Sequence, residues 1–198
     1  MAYAFAKIAF TPAVREQQER NGSGGYASFL SKNRSGGDIL SDHERAFIEE
    51  CDGFYQATVS ETGWPYVQFR GGQPGFLRVG GDNAITYADL RGNRQYISLG
   101  NLTADNRIAL IIMNYARAER LKIWGRVEVE EKPAHPDTEW PDGAERRMRI
   151  TVEAFDWNCP RHIPRRLTEA EYGNEMALLR AENQQMRNQL SEIQARSG

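Results

Sequence analysis

The stretch Tyr87-Ala88-Asp89-Leu90-Arg91-Gly92-Asn93-Arg94-Gln95-Tyr96-Ile97-Ser98 places Arg91 and Arg94 in one glycine-containing turn, between an apolar run and a helical pattern. An arginine presents a planar fork that meets two phosphate oxygens at once. A helix start adds unpaired N–H groups and the positive end of a dipole. The string reads either as a phosphomonoester site without a Walker-type loop or as an ordinary solvated turn, and spacing alone does not choose. A second string, Trp64-Pro65-Tyr66-Val67-Gln68-Phe69-Arg70-Gly71-Gly72, ends in a cation and two glycines. Such glycines mark a bulge or a close approach of backbone to a ligand. Cys159-Pro160-Arg161-His162 sets a thiol beside an imidazole. Two ligands do not make a zinc site, and chain neighbours rarely have the geometry of a Cys/His catalytic pair. The segment is expected to pack near the pocket that the two strings would form, with His162 as a proton donor. His43 and His135 read as surface residues, and Arg117 and Arg120 as part of a charged hairpin loop.

These residues need elements to position them. Residues 1–40, rich in Gly, Ser and Asn at Asn21 to Gly25 and Asn33 to Gly37, read as an irregular arm. Ser41-Asp42-His43-Glu44 has capping-box spacing and opens a helix whose apolar face is Leu40, Phe47, Ile48 and Cys51, with Gly53 just past its end. Residues 41–157 then read as antiparallel sheet: a hairpin of Phe54 to Ser60 and Trp64 to Arg70 around Glu61-Thr62-Gly63, and a second of Phe76 to Val79 and Ala84 to Asp89. Arg107 to Tyr115 suits a strand buried on both faces, Leu121 to Glu130 a half-buried one, and Met148 to Asp156 the last. A helix from about Arg94 to Leu102, with Asn93 as N-cap, interrupts them. Short strands with turn signals between them suggest a barrel or sandwich.

In residues 158–198, Thr168 to Glu171 repeats the capping-box spacing after Pro164. Tyr172, Met176, Leu179, Asn183, Met186, Leu190 and Ile193 then recur as an a/d heptad seam, with Met176, Asn183 and Leu190 at a. The stripe fits either a paired coil, whose register a buried Asn fixes, or a helix lying on its own barrel.

The bulk numbers narrow the class. A chain of 198 residues accommodates one packed domain with tails. A net charge of -2 offers no global field for a polyanion, so nucleic acid is not an expected partner. No apolar run reaches membrane-spanning length. Two cysteines make no disulfide framework, and Met1 to Val14 lacks the pattern of an export signal. A reducing, cytoplasmic setting is the expectation.

The two strings, extended from Val59 to Leu77 and from Arg91 to Leu102, resemble the pyridoxamine 5′-phosphate oxidase-like, FMN-binding split-barrel family, and within it an uncharacterised bacterial branch. The likeness covers about residues 40 to 130, and in the branch sense the tail Phe155 to Pro164. It implies a mainly β fold with peripheral helices: a six-stranded Greek-key split β-barrel, here with a long C-terminal helix. It implies a homodimer with FMN in the cleft between subunits. The strand that lays its backbone along the flavin maps to Val67, Gln68, Phe69 and Arg70. The family's Ser-Arg-Lys phosphate clamp falls on Gly92, Asn93 and Arg94, with Gln95 next. Only Arg94 keeps a positive charge there, so Arg70 and Arg91 are expected to supply the rest, with Asp89 beside them. Lys122-Ile123-Trp124-Gly125 matches a later flavin-edge strand. Lys122 there favours negative charge at the N1/O2 edge, and Trp124 either packs on the ring or fills the barrel.

The function that follows from the resemblance is an FMN-dependent oxidoreductase acting on a small molecule, with a nicotinamide reductant as a possible second substrate. Vitamin B6 phosphate oxidation itself is not implied, because that enzyme's C-terminal substrate-binding Arg and His pattern has no match here. A non-catalytic flavin-binding or sensing module with a coiled-coil partner surface is the alternative, and a split barrel holding a deazaflavin or haem is a third.

Overall fold

The computed structural model describes residues 1–31, 34–81, 83–131, 143–157 and 160–196. The expectations for Asn33, Asp82, His135 and Cys159 fall outside them. The described residues form one antiparallel sheet of seven strands: β1 Gly53–Val59, β2 Pro65–Gly71, β3 Arg78–Val79, β4 Ala84–Leu90, β5 Arg107–Asn114, β6 Glu119–Glu131 and β7 Ala144–Trp157. Their order is β2-β1-β5-β6-β7-β4-β3. The sheet does not close. β2 stands at one end, β4 and the two-residue β3 at the other, and the split lies between them. The seventh strand beyond the six expected is that short β3, all that forms of the expected run from Phe76.

Alternation along the strands builds the core. Phe54 and Gln56 of β1, Leu110 and Ile112 of β5, Leu121 and Ile123 of β6, and Met148 and Ile150 of β7 point inward and are buried. The β1–β2 hairpin closes on Gly63, whose φ of +86° only glycine adopts freely. Between Trp124 and Gly125 the pairing with β7 shifts register. A Cβ on Gly125 would collide with the Thr151 carbonyl, so the bulge requires glycine.

The described residues also form five α-helices: α1 Tyr3–Ala9, α2 Pro12–Arg20, α3 Asp42–Glu50, α4 Ile97–Ala104 and α5 Glu169–Arg196. The capping box of α3 forms as the spacing indicates: the Ser41 N–H donates to Glu44 Oε2 at 3.0 Å. The same device caps α5, where the Thr168 N–H donates to Glu171 Oε2 at 2.8 Å and the Glu171 N–H to Thr168 Oγ1 at 3.2 Å.

Two expectations need correction. The N-terminal arm is not irregular: it holds α1, α2 and a 3-10 helix at Gly24–Leu30. Tertiary packing makes the difference, since Phe5 and Ala6 are buried, and Thr11 caps α2 with Pro12 at its first position. The arm is tied to the end of β7, where the Phe155 N–H donates to the Gly37 carbonyl at 2.6 Å and the Ala2 N–H to Asp156 Oδ1 at 3.1 Å. The helix expected from Arg94 begins at Ile97, because Arg94 and Tyr96 are left-handed, with φ of 63° and 51°. Asn93 is therefore not its N-cap; its Oδ1 accepts from the Gln95 N–H within the turn, at 3.1 Å. No helix among the described residues is long and apolar enough to cross a membrane.

Candidate functional site

The split between β2 and β4 holds two adjoining hollows. The smaller, about 210 Å³, lies where the end of β4, the Arg91–Tyr96 turn and the start of α4 face β2. Arg70, Arg91 and Arg94 all line it, together with Gln68, Asp89, Asn93 and Gln95. Three arginines and one acid, Asp89, thus line the hollow, and Arg94 is the arginine there with no carboxylate partner among the described residues.

The turn has the backbone of an anion cradle. Gly92, Arg94 and Tyr96 take positive φ at alternate positions, the pattern of a backbone nest. Within it the Arg94 N–H goes to the Arg91 carbonyl and the Gln95 N–H to Asn93 Oδ1, so two of its donors are already engaged. α4 then starts with no side-chain cap. Its first turn lines the hollow through Ile97 and Ser98 and brings its positive end there. The Ser98 hydroxyl donates to Gln68 Oε1 at 3.0 Å and ties that helix start to β2.

Carboxylates hold the arginines in place. Arg70 Nη2 lies 2.9 Å from Asp89 Oδ1, and Arg146 Nη1 lies 3.5 Å from Asp89 Oδ2. Arg91 Nε meets Glu145 Oε1 at 3.1 Å, and the Tyr96 hydroxyl donates to Glu145 Oε2 at 3.0 Å. Burial pushes the Glu145 carboxyl up, but hydrogen bonds from Tyr96, Arg91 and Arg146 outweigh it and hold the pKa below its ordinary value. The Nε of Arg70 is buried without a hydrogen-bond partner, and such an orphan donor costs stability until something accepts from it.

The larger hollow, about 770 Å³, continues from the smaller and shares Gln68, Arg70 and Leu90 with it. Phe69, Phe76 and Tyr87 give it aromatic walls. Its size is that of a small-molecule or cofactor site. β2 is an edge strand, so the backbone groups on its outer side face the split rather than a neighbouring strand. Beneath the hollow the Tyr87 hydroxyl donates to buried Gln56 Oε1 at 2.7 Å. Burial raises the Tyr87 pKa far above the ordinary value, so this hydroxyl stays protonated.

The remaining expected residues lie elsewhere. Val67 lines neither hollow; it is 61% exposed on the outer face of the sheet. Phe69 is 57% exposed and stacks edge-on against Tyr55, while also lining the larger hollow. Lys122 and Trp124 alternate with buried Leu121 and Ile123 and so project from that same outer face. There α1 covers them: the Phe5 ring stacks on Trp124 with centroids 4.4 Å apart, and Lys122 Nζ sits 5.3 Å from the Phe5 centroid. Trp124 is therefore not a barrel-filling side chain. His162 is exposed and lines neither hollow. The segment after it packs on the β5–β6 turn, the Arg165 Nε donating to the Ala116 carbonyl at 3.0 Å. Glu145, Arg146, Tyr96 and Ser98 went unnoticed in the sequence. Only the charged alternation of Glu145-Arg146-Arg147, just before the expected last strand, hinted at two of them.

The family model described as pyridoxamine 5′-phosphate oxidase matches residues 40–174. A search of curated proteins found no match. Among solved structures, a variant of HupZ from Group A Streptococcus is 14% identical with a TM-score of 0.47, covering 61% of this chain and 100% of its own. A candidate pyridoxamine 5′-phosphate oxidase from Lactobacillus delbrueckii is 18% identical with a TM-score of 0.46, covering 60% and 94%. A protein related to general stress protein 26, from Clostridium acetobutylicum, is 17% identical with a TM-score of 0.43, covering 59% and 84%.

Proposed function

The chain belongs to the pyridoxamine 5′-phosphate oxidase family, and we propose that it is an FMN-binding oxidoreductase of the cytoplasm, acting on a small molecule as a homodimer. One observation carries the reading. Arg70, Arg91 and Arg94 converge on a hollow of about 210 Å³ that opens into one of about 770 Å³. The fit to a flavin nucleotide is chemical as well as spatial: the partnerless Nε of Arg70 is a donor awaiting an acceptor.

In this reading Arg94, free of carboxylates, takes the phosphate, with Arg70 and Arg91 beside it and the α4 N-terminus behind. Asn93 and Gln95 shape the turn, and Asp89 keeps two guanidinium groups aimed at one point. The edge of β2 from Gln68 to Arg70 orients the ring through backbone groups. Phe76 and Leu90 exclude water from its surroundings. When bound, FMN supplies two-electron redox chemistry, which the protein tunes by orientation and charge. Tyr55, Val67, Phe69 and Ile111 form an exposed apolar face around β1, which supports a second copy docking there. Lys122 and Trp124 lie on that side of the sheet too, but beneath α1, so they take no part in this reading.

Purification tests the proposal. A yellow protein with flavin absorbance is expected, and a colourless one that ignores added FMN overturns it. The same spectrum distinguishes a deazaflavin or haem. A second reading, a non-catalytic flavin-binding or sensing module, is favoured by α5, a long exposed helix that redox chemistry does not need. Stopped-flow reduction by NADH or NADPH at enzymatic rates removes that option.

A further inference from the structure

α5 leaves the barrel with its seam uncovered. Its start is held at the β5–β6 turn, where the Arg166 N–H donates to the Tyr115 carbonyl at 3.3 Å. Beyond it, Tyr172, Leu179, Met186 and Leu190 are all exposed, Leu190 by 58%, and Met176 is half-buried. The helix therefore does not lie on its own barrel along this stripe, and something else must cover it.

The flanking charges select the occupant. With Met176, Asn183 and Leu190 at a, the g positions hold Glu175 and Glu182 and the e positions hold Arg180 and Arg187. In a parallel, in-register pair, each g faces the next e of the other helix. Glu175 of one copy then meets Arg180 of the other, and Glu182 meets Arg187, on both sides of the seam. An antiparallel pair sets g against g and e against e, which opposes Glu to Glu and Arg to Arg. Asn183 at a meets itself only when the two helices run parallel and unshifted. Parallel pairing also leaves both barrels at the same end of the coil, where they can dock on each other.

We infer that α5 zips to α5 of a second copy as a parallel, in-register, two-stranded coiled coil. The inference stands apart from the flavin reading, since its test does not involve a cofactor. In the 198-residue chain carrying Cys159→Ser and Leu190→Cys, mild oxidation should give a nearly complete disulfide-linked dimer on a non-reducing gel. In an antiparallel pair, where Asn183 at a faces a d residue such as Met186, the two introduced thiols would lie about 16 Å apart along the coil. Adding Glu175→Arg and Glu182→Arg, both at exposed positions, turns every flanking pair repulsive and should slow crosslinking about tenfold or more. Further adding Arg180→Glu and Arg187→Glu reverses both charges and should restore it. No crosslink at Leu190→Cys, or a rate indifferent to the charge reversals, overturns the inference.

Discussion

Arg70 on β2 and Asp89 on β4 form an ion pair of 2.9 Å across the gap where the barrel fails to close. Their side chains are 20% and 6% exposed, so the pair is shielded from water. It latches the two lips of the split and aims Arg70 at the smaller hollow.

Asp89→Asn removes the carboxylate shared by Arg70 and Arg146. Arg70, poorly solvated, then loses its counter-charge, while Arg146 keeps Glu131 and Glu145, at a cost of about 3 kcal/mol. Guanidinium-induced unfolding should show the loss. Added FMN should raise the melting temperature of this variant more than that of the parent, because a phosphate replaces the missing negative charge.

Arg94→Ala should weaken FMN binding by about 1.5–3 kcal/mol, the worth of charge-assisted bonds to phosphate. Arg94→Gly should weaken it equally while stabilising the fold by about 1 kcal/mol, because the residue sits at a φ of 63°. Flavin fluorescence titration and thermal melts separate the two effects. Unchanged affinity in both variants removes Arg94 from the clamp.

Glu44 gives the fold an acid-sensitive cap. Burial pushes its carboxyl up, but hydrogen bonds from Ser41 and Trp157 outweigh burial and hold the pKa below the ordinary 4.5. The charged form is therefore favoured on folding. Its stabilisation is present above pH 4.5 and lost as pH falls through the lower folded-state value. Glu44→Gln should cost about 1 kcal/mol at neutral pH. That deficit should shrink on acidification, as urea midpoints measured across pH would reveal.

Phe5→Ala empties the slot above Trp124. Phe5 is 4% exposed and stacked at 4.4 Å, so about 3 kcal/mol of stability should go with it. A stability unchanged in denaturant titration would mean that α1 contributes nothing to holding that face.

The parts of the fold that chain neighbours decide were legible. The β1–β2 hairpin, both capping boxes and the alternation of β6 each depend on residues a few positions apart. So did the gathering of Arg91, Asn93, Arg94 and Gln95, which share one turn. The start of α4 was not legible, because nothing in the side chains of Arg94 and Tyr96 announces a left-handed backbone. Trp124 beneath Phe5 and Arg146 beside Asp89 depend on pairings between distant segments, which no local pattern encodes. Thr11-Pro12 did carry a helix-start signal, masked by the polar composition around it.

β7 threads two stations on one rod. At its beginning stand Glu145 and Arg146, which brace the arginines; at its end stands Asp156, which accepts from the Ala2 N–H at 3.1 Å. Fourteen residues at strand rise span about 45 Å. A slip of one residue would turn both stations to the wrong side together. Length changes are therefore intolerable along this strand, and its amide protons should be among the last in the molecule to exchange with solvent.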